Sequence, residues 1–104
     1  MIVEYIRYKV PLAQADRFEQ DYAEAARSLD VSVHCLRYEL TRCLDEPSSY
    51  ILRIEWDSEE GHMQGFRHSA EFRSFFAAIK PYVDMIEEMR HYRLTTVQRK
   101  KSDE

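Results

Sequence analysis

The stretch YILRIEWDSEEGHMQGFRHSAEFRSFF, residues 50–76, decides the fold. It opens on strict alternation, with Tyr50, Leu52, Ile54 and Trp56 on one side and Ile51, Arg53 and Glu55 on the other. A period of two marks a half-buried strand. The alternation stops at Asp57-Ser58, where either side chain can cap a helix. Glu59-Glu60 follow where acids favour the N-terminal end of the helix dipole. A second start comes at Ser69-Ala70-Glu71, after which Phe72, Phe75, Phe76 and Ile79 recur at helical spacing. A strand therefore ends on an indole and feeds a broken helix, with His62 and His68 at its joint.

Upstream, residues 2–10 read as a strand, with Ile2, Ile6, Tyr8 and Val10 against Val3, Tyr5, Arg7 and Lys9. Pro11 ends it, since proline cannot continue a ladder. Leu12, Ala15, Phe18, Tyr22, Ala25 and Leu29 then step by three or four, the stripe of an amphipathic helix. Residues 33–43 alternate again, with His34, Leu36, Tyr38 and Leu40 opposing Cys35, Arg37, Glu39 and Thr41. Asp45-Glu46-Pro47-Ser48 is a turn, so the strand at 50–56 pairs back as a hairpin. Downstream, Lys80-Pro81 restarts a short helix and a last strand is expected over 88–97. Residues 1–97 form one domain, and the charged, apolar-free tail 98–104 is expected to be disordered.

The order strand, helix, strand, strand, helix, strand predicts an α+β fold. It is a ferredoxin-like βαββαβ sandwich with a four-stranded antiparallel sheet and both helices on one face. Parity places Ile6, Tyr8, Leu36, Tyr38, Leu52, Ile54, Trp56, Tyr92 and Leu94 under the helices. The other face then holds Arg7, Lys9, Arg37, Glu39, Arg53, Glu55 and Arg93. That charged face either stays in solvent or meets a second copy with opposite charges paired across the contact.

A chain of 104 residues, 44% of them hydrophobic, is long enough for one real core and no more. Two glycines and three prolines leave no room for a flexible linker. The net charge of −4 argues against a nucleic-acid partner, which needs a basic face. No apolar run approaches the roughly 20 residues of a membrane span, and no basic-then-apolar signal opens the chain. Cys35 and Cys43 share a strand too extended for a disulfide between them, so free thiols and a cytoplasmic location are expected.

The candidate chemistry gathers around Trp56, whose face also carries Tyr8, Tyr38 and Tyr92. An apolar cavity with a few convergent polar groups is what a small aromatic ligand requires. A tyrosine-rich core, its hydroxyls bonded to backbone, is the alternative. His62 and His68 are the candidate general bases, because imidazole titrates near neutrality. They lie six residues apart and do not make the i, i+4 pair that binds zinc. His34 and His91 fall on strands with no completing ligand, so no metal is expected. There is no glycine-rich phosphate loop, no paired-carboxylate constellation and no Ser-His-Asp arrangement.

The segments Glu55-Trp56-Asp57-Ser58-Glu59-Glu60 and Ser69-Ala70-Glu71-Phe72, with Pro81-Tyr82-Val83 and residues 87–92, resemble the antibiotic biosynthesis monooxygenase family. The likeness runs over about residues 2–95 and places the chain among the dimeric α+β barrel proteins. It implies a homodimer whose sheets pair face to face, and a pocket between sheet and helices in each subunit. Some members oxidise polycyclic phenols or quinols without metal or flavin. The resemblance thus implies a cofactor-independent monooxygenase acting on a small hydrophobic aromatic or quinol-type molecule. Trp56, Tyr8, Tyr38, Phe66 and Tyr92 are its candidate substrate contacts, and His62 and His68 its candidate bases. A related branch degrades haem using a first-strand asparagine and a second-helix histidine. The first strand here has no asparagine and the histidine register falls on Phe76, so no haem or other cofactor is expected. A non-catalytic dimeric module of the stress-response type, sequestering a hydrophobic ligand, is the second reading.

Overall fold

The computed structural model describes residues 1–101. Four strands, β1 (Ile2–Lys9), β2 (Cys35–Arg42), β3 (Ser49–Trp56) and β4 (Ile86–Arg93), form one sheet in the order β2-β3-β1-β4. Every neighbouring pair is antiparallel. Helix α1 (Ala15–Val31) crosses from β1 to β2, and α2 (Ala70–Ile79) from β3 toward β4. This is the ferredoxin-like α+β sandwich that the element order predicts. None of the described helices is long and apolar enough to cross a membrane.

The helix-facing side of the sheet is the core. Phe18 of α1 stands at its centre, with the rings of Tyr8, Tyr22, Tyr50 and Tyr82 at centroid distances of 4.8 to 5.2 Å. The tyrosine hydroxyls are satisfied by side chains rather than by backbone. Tyr8 and Tyr22 bond to each other, and Tyr82 bonds to Asp21. Tyr50 donates to Glu19 at 2.5 Å and Tyr38 to Asp30 at 2.7 Å. Carboxylates on α1 thus reach down to the phenols beneath the helix.

Two bulges shift the faces from the expected parity. Cys35 pairs with Trp56 and Arg37 with Glu55, so Leu36 is an extra residue and Cys35, not Leu36, joins Tyr38 and Leu40 beside the core. Arg7 pairs with Glu88 and Tyr8 with Ile86, leaving Glu87 extra. The slip moves each later β4 side chain to the opposite face. His91, opposite Glu4, therefore lies on the helix side, and Tyr92, opposite Val3, on the other. The last strand ends at Arg93 rather than Val97, and residues 94–101 are neither helix nor strand. Of the expected disordered tail, residues 102–104 lie outside the described residues.

The outer face is laced by ion pairs within the chain. Arg53 meets Glu55 at 2.8 Å and Glu39 at 3.5 Å, while Arg7 meets Glu87 at 3.5 Å. Tyr5 and Tyr92 pack edge to face among them, with centroids 5.4 Å apart.

Candidate functional site

Between β3 and α2 the chain makes a π-helical turn (Gly61–Gly65) and a 3₁₀ turn (Phe66–His68). Local chemistry explains the break. Ser58 Oγ accepts the Gly61 N–H at 2.8 Å, and Ser69 Oγ accepts the Phe72 N–H at 3.1 Å, so two helix starts are capped within twelve residues. The ring of His34 wedges against both glycines. A Cβ on Gly65 would stand 2.4 Å from His34 Nε2, and one on Gly61 would stand 2.8 Å from His34 Nδ1. Only glycine permits that approach. His34 Nδ1 is itself held by Asp57 Oδ2 at 3.0 Å. Wider π turns of this kind often mark functional sites.

The turn presents His62 inward, 2% exposed. Its ring lies on the indole of Trp56, with centroids 4.3 Å apart and planes 12° apart. The indole Nε1–H donates to Glu4 Oε1 at 3.0 Å. His62 Nε2 stands 3.4 Å from the same oxygen, and His62 Nδ1 lies 2.9 Å from His91 Nε2. His91 Nε2 is also 3.7 Å from Glu4 Oε2. With His62 neutral, one order suits the chain: His91 donates to His62 Nδ1 and Trp56 donates to Glu4, while His62 Nε2–H faces the same carboxylate at 3.4 Å.

Burial governs the ionisation here. It raises the Glu4 pKa above the ordinary carboxylate value, opposed by the Trp56 hydrogen bond and by the charges of His91 and Arg67. Burial, and then His91 and Arg67, push His62 down to about 4. With His62 neutral at neutral pH, its 3.4 Å contact with Glu4 is not an ion pair. Tyr8, also on this wall, is pushed up to about 12, again chiefly by burial.

A cavity of about 170 Å³ opens against this wall, between the sheet and α2. Trp56, His62 and Glu4 form its polar end. Phe66, Phe72, Phe75, Phe76, Ile79 and Met89 supply most of the apolar lining, and Arg67 stands at its edge. The Arg67 guanidinium carbon sits 5.1 Å above the Phe72 ring, a cation–π contact.

The expected site residues divide. Trp56, Tyr8, Phe66 and His62 border the cavity, although the Tyr8 hydroxyl is taken by Tyr22. Tyr38 lines a separate groove of about 250 Å³ beneath α1, with Leu40, Arg42 and Tyr50. Tyr92 is on the outer face and cannot touch the cavity, because of the β4 bulge. His68 is exposed and does not line the cavity. Glu4 and Arg67 are not candidates from the sequence, and His91 enters there only as a strand residue with no completing ligand. Glu4 carried a usable signal: it shares the parity of Ile2 and Ile6 on an otherwise apolar strand face. The expectation that no ligand set forms is corrected too, since the fold gathers Glu4, His62 and His91 with donor atoms all within 4.8 Å of one another.

Sheet order, helices on one face and a cavity between the two layers define a ferredoxin-like α+β domain with an internal cavity. The chain belongs to the antibiotic biosynthesis monooxygenase family, whose model matches residues 1–78. It is 27% identical over 75 residues to the uncharacterized protein YczJ of Bacillus subtilis, covering 72% of this chain and 79% of that one. A Bordetella bronchiseptica structure named for the same family superposes with a TM-score of 0.74 at 24% identity, over 90% of this chain and 96% of the other. One from Deinococcus radiodurans, also named for the family, gives a TM-score of 0.75 at 15% identity, over 98% and 100%. At these identities the two structures support the fold alone.

Proposed function

We propose that this protein is a monooxygenase that needs no bound cofactor and oxidises a small phenol or quinol in the cavity beside Trp56. One observation carries the reading: the apolar cavity ends on a buried carboxylate–imidazole pair, Glu4 and His62, and His91 links that pair to the protein's exterior. The pair would take the phenolic proton and His91 would pass it outward. His68, exposed, drops out as a base. The electron-rich ring carbon of the phenolate then adds O₂. One oxygen atom stays as the quinone carbonyl and the other leaves as water with two substrate hydrogens, so the substrate supplies all the electrons that reduce O₂. Arg67 at the cavity edge favours the phenolate electrostatically. Arg7 and Arg53, on the outer face, serve no such purpose.

Size narrows the substrate. An apolar cavity of roughly 150 Å³ holds benzene, so about 170 Å³ suits one substituted ring rather than a polycyclic phenol. The family membership supports a homodimer with the sheets face to face, and two free thiols, Cys35 and Cys43, suit a reducing cytoplasm. Oxygen uptake with a panel of hydroquinones and catechols is the test. Turnover that falls at least about a hundredfold in Glu4→Gln and His62→Asn is expected, on the scale of a lost acid–base group. No uptake with any one-ring quinol overturns the proposal.

The second reading, a hydrophobic-ligand module without chemistry, is favoured by one feature. Both nitrogens of His62 already have partners, so the site is complete without a substrate proton. Saturable binding without oxygen uptake would establish it.

A further inference from the structure

We propose that Glu4, His62 and His91 form a binding site for a first-row divalent transition metal, such as Zn²⁺, Fe²⁺ or Co²⁺. The three residues come from β1, the π-helical turn and β4, far apart in sequence, yet their donor atoms lie within 4.8 Å of one another. A zinc-like ion sits about 2.0–2.2 Å from nitrogen and oxygen ligands, so neighbouring donors stand roughly 3.0 Å apart at right angles and 3.4 Å apart at the tetrahedral angle. His62 Nδ1 and His91 Nε2 are 2.9 Å apart, and His91 Nε2 and Glu4 Oε2 are 3.7 Å apart. The third pair, His62 and Glu4, lies within the same 4.8 Å limit, and its two donors must close toward the same spacing for one ion to reach all three.

The surroundings match a ligand set. Trp56 donates to Glu4 Oε1 and leaves Oε2 for the ion, the outer-shell bond that orients a ligating carboxylate. Two imidazoles and one carboxylate select zinc, iron or cobalt over magnesium or calcium, which prefer oxygen. The side chain of His91 is 30% exposed, which gives the ion a way in, and the cavity side leaves coordination positions for an outside oxygen ligand. The ion and one carboxylate leave a net positive charge, and Arg67 at the edge adds to it, so that ligand should be an anion. The site shares Glu4 and His62 with the proton acceptor proposed above, and a cation there takes the same lone pairs. Metal-bound and base-competent forms exclude one another.

The whole protein, stripped with EDTA, would be titrated with Co²⁺ and followed by visible d–d absorption. Saturation at one Co²⁺ per chain is expected. Trp56→Phe should weaken binding about 10–100-fold, the range for loss of an outer-shell partner, and His91→Ala should weaken it at least as much. His68→Ala, at an exposed histidine outside the cluster, should leave the isotherm unchanged. His91 is partly exposed, so its alanine variant is expected to fold, and near-UV circular dichroism checks that. Glu4→Gln gives a second ligand deletion. No saturable absorption up to millimolar Co²⁺, or an isotherm that both ligand deletions leave intact, overturns the proposal. Turnover plays no part in this readout, so its failure is separate from failure of the oxygenase reading.

Discussion

His62 lies flat on Trp56, ring over ring at 4.3 Å, while both side chains point a nitrogen at Glu4 Oε1. One buried carboxylate thus fixes the tilt of an indole and an imidazole together. Each ring supports the other, so neither can turn without leaving a buried polar atom without its partner. That arrangement makes the polar end of the cavity rigid in a region where the backbone leaves regular helix.

The glycines of the π turn make a direct prediction. Gly65→Ala would drive a methyl to 2.4 Å from His34 Nε2, so the turn or the ring must shift. A loss of about 1–3 kcal/mol is expected, the usual scale of overpacking. His34→Ala should relieve most of it, because the clash is with that ring alone. Urea midpoints of the two single variants and the double variant measure the coupling. Additive losses would mean that His34 does not wedge the turn.

Tyr8 predicts how stability falls in base. Its phenol is pushed up to about 12 in the folded chain, against an ordinary value near 10. The unfolded chain therefore loses this proton first. The stabilisation is whole below pH ~10 and is lost as the pH rises toward 12, by about 1.4 kcal/mol per pH unit for one group. Tyr38 and Tyr50, both also raised to about 12, add in the same direction. Tyr8→Phe should flatten the decline between pH 10 and 12 in denaturant titrations. At neutral pH it should cost about 1–3 kcal/mol, because the buried Tyr22 hydroxyl loses its partner. An unchanged alkaline slope would contradict the burial argument.

The outer face carries the dimer prediction. Tyr5, Ile51 and Tyr92 are exposed there in the single chain, at 37%, 37% and 49%. The charges around them already pair within the chain, so apolar contact is what remains to be gained from a second copy. Sedimentation equilibrium at micromolar concentration should give the dimer mass. Tyr92→Glu should shift the equilibrium toward monomer, while the far side of the sheet, with Trp56, keeps its near-ultraviolet signature. A monomer mass for the unmodified chain would return this face to solvent.

Sequence reading reached Trp56 and His62 because β3 runs from Ser49 to Trp56 in unbroken register, so its parity could be trusted to the end. It failed where a bulge intervened. Glu87 looks like any other strand residue, yet its extra position turns Tyr92 outward and brings His91 to Glu4. Leu36 does the same on β2, putting Cys35 inside. Bulges depend on pairing between distant segments, which no local period records. Glu4 is a different kind of miss. Its parity was plain, and a carboxylate on an apolar face is a buried acid awaiting a partner. The partners, Trp56 and His62, lie more than fifty positions away, and only the sheet order unites them.

The last prediction turns on Trp56, the only tryptophan in the chain, and tests core and cavity together. It is fully buried and packed against His62 and Phe66, the latter at 4.9 Å. Trp56→Ala should therefore cost about 3–5 kcal/mol, as truncation of a packed aromatic does. Trp56→Phe keeps most of the ring contact but strips the N–H from Glu4, so about 1.5–3 kcal/mol should remain lost, the scale of a hydrogen bond to a charged group. The indole also borders the cavity, so one-ring quinols should quench its fluorescence saturably, and a naphthalene-sized phenol should do so far more weakly. Ile79→Phe would fill the α2 side of the cavity without adding a second indole and should weaken quenching without touching the Glu4 bond. A core-sized penalty with no quenching by any quinol would mean that the cavity takes no aromatic ligand. Quenching that Ile79→Phe leaves unchanged would put the ligand somewhere other than between α2 and the sheet.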